Sequence, residues 1–450
     1  MTAMQSGTVT LHRADVVFPV TAPPIVDGAV AVRRGRILAV GGHDELGERL
    51  RDLAPIERRR WRGALIPGLV NAHTHLQYTA IAEVGRGSYT SFEDWSRSFL
   101  MAYQAADHDW RAASAHGAEL ALRAGTTAVA EIVTDPEAAR ALHEAGLHGV
   151  AYWEVLAFTS ARQRAEGPRL VEEGLAGIPS PPHAGISPHA IYSLDTEVLR
   201  DLTALARERG LRQHIHAAEA ASENEYALAG TGPLAEQWRR NGHAEFALLA
   251  EGGSGHRAIG YLDAVGALTP QTHLAHGIYV DADDRALLRA REVAVALCPR
   301  SNAVIGLDPP PVADYLREGS PIAVGTDSLS SSPSLGPLAD VAALYRLARA
   351  QGYSGDDLHA RLLRAATVGG AFALGLVAGA DAAGQLREGH RADLAVFEVA
   401  SGDPRDALAE LVEEAPAEAA ATIVAGETRW TPRGLEGVLS AEGTGIPAAR

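Results

Sequence analysis

Two histidines one residue apart, His73 and His75 in "LIPGLVNAHTHLQ" (65–77), close an apolar run. In a strand, side chains two apart share a face, so both imidazoles would point the same way from a rigid support. Imidazole is a common zinc ligand, and two on one strand fix two coordination positions at little entropic cost. Taken alone, the spacing leaves a second reading open, because the chain has 18 histidines and two of them can simply end a strand. Recurrence favours the metal: "HIHAAE" (214–219), "LAHG" (274–277) and "GTDS" (325–328) each end a later strand-like run. Catalytic zinc takes three protein ligands or so and keeps one position open for water. His73, His75, His216 and Asp327 would supply that set. Glu219 stands three residues past His216, where strand gives way to loop, free for proton transfer or, on the other reading, a solvated loop glutamate. His276 either faces the same site or is a barrel-core histidine bonded to backbone. His214 and His273 are placed in the barrel wall.

These residues need a scaffold, and the chain from about 65 to 330 alternates short β-branched runs with helix-period segments, the pattern of parallel βα units. Eight strands are expected, over 64–72, 126–132, 148–156, 184–192, 211–217, 271–280, 292–298 and 321–326. The helix pattern of "EVLRDLTALARERG" ends on Gly210, suited to a left-handed cap. The span from the first histidine to Asp327 matches the ≈ 250 residues typical of a (β/α)₈ barrel, whose active sites lie at the C-terminal strand ends. Both chain ends alternate like strands and are expected to meet in a β-sandwich, giving boundaries of 1–64, 65–384 and 385–450. The connection from 220 to about 270 exceeds an ordinary βα loop and is a candidate lid. The uncharged run 365–380 is expected to form a buried helix ending near Gly375, being too short to span a bilayer.

All 40 basic residues are arginine; there is no lysine. Schiff-base nucleophiles, P-loop chemistry and a carbamate bridge between two metals are thereby excluded. A formal charge of −16 gives no footprint for nucleic acid or anionic membranes, so a small-molecule substrate is expected. Cys298, the single cysteine, allows no internal disulfide and reads as a buried thiol. No signal-peptide pattern opens the chain, and a cytoplasmic location is expected. A homodimer is compatible with this reading and not required by it.

The motifs "PGLVNAHTHL", "HIHAAE", "LAHG", "CPRSN" and "GTDS", in order and at strand ends, followed by "GQLREGHRADLAVFE", resemble the amidohydrolase superfamily in its aminohydrolase and chlorohydrolase branch. The resemblance implies a distorted (β/α)₈ TIM barrel with a β-sandwich from both termini. It also implies one divalent metal, zinc or alternatively iron(II), held by His73, His75, His216 and Asp327. Glu219, His276 and Asp327 would be the catalytic groups. Glu219 would protonate a ring nitrogen, Asp327 would take the water proton and His276 would hold the attacking water in line. Relatives with two metals use a carboxylated lysine, which this chain lacks.

The loops after the first and eighth strands most resemble those of the aminodeoxyfutalosine deaminases, which serve menaquinone biosynthesis. Such a substrate carries adenine, ribose and a benzoate. Gln77 and His189 would hydrogen-bond purine and sugar, and Arg86 would pair with the carboxylate. Trp95 would stack on a ring or serve as helix core. Gln77 could instead brace the metal histidines, His189 cap a strand and Arg86 lie solvated in its loop. The alternative substrates are adenosine, S-adenosylhomocysteine, methylthioadenosine, guanine or another heterocycle. An inactive barrel that only binds ligand is the alternative outside enzymes.

Overall fold

Eight parallel strands carry the molecule: β1 (Leu69–Thr74), β2 (Thr126–Val133), β3 (His148–Val155), β4 (His183–Pro188), β5 (Gln213–Ala217), β6 (Thr272–His276), β7 (Ala294–Leu297) and β8 (Ile322–Val324). They are seen in a computed structural model that describes residues 7–53 and 55–432. The strands pair in chain order, β1 to β8, every pair parallel. β2 and β5 are buried along their whole length, as a sheet covered on both faces requires. The seam between β8 and β1 is closed by the Asn71 side chain together with two backbone hydrogen bonds just past β8. Asn71 accepts from the Thr326 amide at 3.0 Å and donates to its hydroxyl at 2.7 Å. The amides of Thr326 and Asp327 both donate to the His73 carbonyl, at 3.1 and 3.0 Å. This is a nearly closed (β/α)₈ barrel.

The expected strand over 64–72 is two strands. Ala64–Pro67 belongs to a six-stranded sheet, where it lies between Leu394–Phe397 and Val16–Val17. Gly68 then turns the chain into β1, and a Cβ there would overlap the Thr127 side chain. The apolar pattern runs unbroken across both strands, so periodicity does not reveal the turn.

The remaining strands of that sheet are Ile25–Val26, Ala421–Val424 and Glu427–Trp430. A four-stranded sheet of Val9–Arg13, Gly28–Arg33, Arg36–Gly42 and Ile56–Arg60 faces it. Val30, Val32 and Ile37 of one sheet and Val17, Leu65, Leu394 and Ile423 of the other share one apolar core. Residues 1–6 and 433–450 of the expected boundaries lie outside the described residues.

Five helices shape the upper end of the barrel: α1 (Phe92–Gln104), α2 (Ala221–Ala229), α3 (Gly232–Arg240), α4 (Pro299–Ile305) and α5 (Pro337–Ala350). α1 starts where the Ser91 hydroxyl accepts the Asp94 amide, with Glu93 and Asp94 in the first turn, complementing the positive end of the helix. The 220–270 connection is not a loop but holds α2, α3 and the short helices Ala247–Ala250 and Ala258–Ala264. Thr196–Arg209 forms as the pattern predicts and ends on Gly210 at φ 65°. The 365–380 run is a π turn, Ala365–Gly369, continued by Gly370–Ala373, and Gly375 follows at φ 74°. Ala371 and Ala373 pack with Val70, Ala294 and Ala323 inside the barrel. Among the described residues no helix is long and apolar enough to cross a membrane.

Candidate metal centre and active site

The end of β1 delivers His73 and His75, the end of β5 delivers His216, and the third residue after β8 is Asp327. Their nitrogens and oxygen converge. His75 Nε2 lies 3.3 Å from His216 Nε2, while Asp327 Oδ1 is 3.5 Å from His73 Nε2 and 3.7 Å from His75 Nε2. A tetrahedral zinc with bonds near 2.0–2.1 Å spaces its ligands by about 3.4 Å.

Tautomers strengthen the fit. His216 Nδ1 is 3.0 Å from the His189 carbonyl, which can only accept, so the proton sits on Nδ1 and Nε2 presents a lone pair to the centre. His73 Nδ1 is engaged by His214 Nε2 at 3.0 Å, leaving Nε2 buried without a hydrogen-bond partner among the described residues. Lone pairs converging on a carboxylate repel one another unless a cation lies between them. The donor set therefore fits one divalent ion.

Burial raises the pKa of Asp327, but the imidazole of His73 first, then those of His75 and His276, outweigh it and hold the carboxyl well below the ordinary range. Its other oxygen accepts from the Ser301 and Ser331 hydroxyls at 2.7 and 2.9 Å, and the Ser328 amide binds Oδ1 at 2.8 Å. Glu219 has the opposite character. Burial first, then the charges of Asp327 and Glu223, push its pKa well above the usual value.

His276 Nε2 lies 3.5 Å from Glu219, and its Nδ1 lies 3.3 Å from the Asn302 side-chain oxygen on α4. Burial, then the charge of His73, lowers its pKa to about 4, so it is neutral. His276 and Asp327 hold φ of 74° and 57°, strained backbone of the kind that clusters at functional sites.

A cavity of about 340 Å³ opens above this centre and is lined by His75, His189, His216, Glu219, His276 and Asp327 at its floor. Tyr78, Phe92, Trp95, Phe99, Tyr192 and Trp238 form aromatic walls from α1 and α3 and the loops beside them, with Gln237 and Asn241 as polar tips. Trp95 both lines the cavity and is fixed in place, its indole donating to the Ser330 carbonyl at 2.9 Å. His189 lines it too, held by Ser193 at 2.8 Å. Gln77 is fully buried outside the lining, where its amide bonds Thr134 through both ends. Arg86 is exposed at the turn Val84–Arg86, also outside the lining.

Several contributors escape sequence reasoning. His214, which was placed in the barrel wall, orients His73. Glu223 accepts the amides of Ala218, Glu219 and Ala220 at 2.7, 2.9 and 3.3 Å, fixing the turn that carries Glu219. Its spacing after Glu219 was the available signal. Glu154, at the end of β3, lines the cavity at 7% exposure with Oε1 buried and unpartnered among the described residues. Burial, then Asp327, raises its pKa to about 8.

Comparison with known proteins agrees with this geometry. The model of the "Amidohydrolase family" matches residues 64–429. A 5-methylthioadenosine/S-adenosylhomocysteine deaminase of Nitratidesulfovibrio vulgaris is 30% identical over 324 residues, which are 69% of this chain and 66% of that protein. Among solved structures, a zinc-bound adenosine deaminase of Xanthomonas campestris superposes with a TM-score of 0.76 at 24% identity, covering 94% of this chain and 93% of that one. Aminofutalosine deaminase of Helicobacter pylori, in complex with methylthio-coformycin, gives 0.79 at 21% identity, covering 93% and 99%.

Proposed function

Because the chain belongs to the amidohydrolase family, as a hydrolase of C–N bonds, we propose that it is a metal-dependent deaminase of an aminopurine nucleoside. The observation that carries this reading is the cluster of His73, His75 and Asp327, with His216 against His75, beneath a cavity lined by Glu219, whose pKa burial raises well above the usual value. When bound there, a divalent ion lowers the pKa of a water molecule toward 7. Asp327 would accept a proton from the attacking water; its Oδ2 is held by Ser301 and Ser331 and its Oδ1 by the Ser328 amide, which fix the carboxylate in place. Glu219 gives its proton to the ring nitrogen beside the attacked carbon, making an aromatic amidine a better electrophile. Neutral His276, held by Asn302, accepts or donates along the line of attack without adding charge. The walls of α1 and α3 exclude water from the ring. The exocyclic nitrogen leaves as ammonia after a second proton reaches it.

The substrate proposed is 6-amino-6-deoxyfutalosine, yielding futalosine for menaquinone synthesis in the cytoplasm. An aromatic-walled cavity suits a substrate with a purine at one end and a benzene ring at the other. One observation favours a second reading, adenosine or methylthioadenosine: among the described residues no arginine lines the cavity, and Glu154 does. Zinc is the proposed metal, with iron(II) the alternative, and residues 65–384 the proposed catalytic unit. Ammonia release is to be compared across aminodeoxyfutalosine, adenosine, methylthioadenosine and guanine. The highest kcat/KM on the first supports the substrate named; a higher value on methylthioadenosine or adenosine replaces it, and no release from any of them removes the reading.

A further inference from the structure

We propose that the protein carries a second divalent transition-metal site, formed by His148, His183 and Asp381 at the opposite end of the barrel from the catalytic centre. His148 opens β3 and His183 opens β4, whereas the catalytic histidines lie at the far ends of β1, β5 and β6. Asp381 comes from the segment leading back to the terminal sheets. Its Oδ1 is 3.4 Å from His148 Nε2 and its Oδ2 is 3.1 Å from His183 Nε2, with one ligand atom from each residue within 4.8 Å of the others. These separations suit an ion bound at roughly 2.0–2.2 Å by nitrogen and carboxylate oxygen.

His148 supplies the independent observation. It is 1% exposed, yet neither ring nitrogen has a hydrogen-bond partner among the described residues. A neutral imidazole always bears a lone pair, and a buried one left unused is costly. Burial, then the charge of Arg391, lowers its pKa to about 4, so that lone pair is free at neutral pH. Arg391 Nη1 stands 3.9 Å from Asp381 Oδ1, beyond hydrogen-bond distance, and its Nε is bound to Asp393 at 2.9 Å.

His183 and Asp381 are half exposed, which lets an ion enter from solvent and complete its shell with water. Two imidazoles and a carboxylate suit Co²⁺, Ni²⁺, Cu²⁺ or Zn²⁺ rather than Mg²⁺ or Ca²⁺. An ion here would tie the starts of two barrel strands to the returning chain, on the face of such barrels that serves stability rather than turnover.

The test titrates Zn²⁺ into holoenzyme already holding one tightly bound equivalent, read by calorimetry, by metal content after desalting and by melting temperature. A second, weaker equivalent with a raised Tm is expected. His183→Ala and Asp381→Asn are each expected to keep the first equivalent and full turnover while losing the second equivalent and the Tm gain. Wild-type protein that takes up no second equivalent, or variants that still take up both, would overturn the proposal.

Discussion

Glu219 lies 3.5 Å from His276 and Asp327 lies 3.5 Å from His73, yet their surroundings push their pKa values in opposite directions. Replacing Glu219 by Gln removes the proton donor without touching a ligand atom. Metal content should stay at the wild-type level while kcat falls at least about 10²-fold, the usual scale for general acid–base catalysis. A variant with unchanged kcat removes Glu219 from the mechanism. Glu154 is a different case, a buried carboxyl with an unpaired oxygen facing substrate. Glu154→Gln should leave the melting temperature of the substrate-free enzyme near the wild-type value at pH 7, because a carboxyl with its pKa raised to about 8 is already mostly neutral there and the amide is as polar. It should also raise KM for hydroxyl-bearing nucleosides roughly 5- to 20-fold, the worth of about 1–2 kcal/mol in a lost hydrogen bond. An unchanged KM would mean substrate does not reach this group. The approach of His73 and His75 to one another was legible in the sequence because strand geometry turns i, i+2 spacing into a shared face. Glu154 was not, since "AYWEVLAF" offers no second residue whose spacing singles it out. Arg86 shows the converse: charge type suggested a carboxylate partner, and the exposed turn holding it is set by local backbone that composition does not report.

Strand ends position this chemistry, and one glycine controls how closely two of them approach. A Cβ on Gly325 would come within 2.7 Å of Cys298 Sγ and 2.8 Å of the His73 Cβ, both buried and confined. Gly325→Ala must therefore push β8 from β1, and should cost stability and weaken metal retention together. Chemical denaturation and metal content after dialysis report the two effects; wild-type values for both would show the contact to be compliant. The eight barrel strands were readable because each is a short β-branched run bounded by helical periodicity. The break at Gly68 was not, as apolar character continues from the terminal sheet into β1. Nor was the helical content of 220–270 recognised, although α3 from that stretch supplies Leu234, Gln237 and Trp238 to the cavity. Its length stood out, but its helices are short, nine residues or fewer each.

At the scale of the molecule, the sheets built from both ends have their own sensitivity to pH. His12, in the strand Val9–Arg13, is fully buried beneath Trp61, whose indole donates to its Nδ1 at 3.1 Å. Burial, then the charge of Arg59, lowers its pKa to about 3. The unfolded chain takes up this proton below about 6.5 and the folded chain does not, so the stability is complete above that value and is lost as pH falls toward 3. Between pH 6.5 and 5, wild type should lose about 2 kcal/mol relative to His12→Phe, which keeps an aromatic ring and cannot protonate. Parallel pH profiles for the two proteins would contradict this. The centre itself is best tested by a crystal structure with anomalous scattering measured across the zinc and iron absorption edges. One ion within about 2.0–2.2 Å of His73 Nε2, His75 Nε2, His216 Nε2 and an Asp327 oxygen is the predicted result. Active crystals with no anomalous peak among those four side chains would contradict the account.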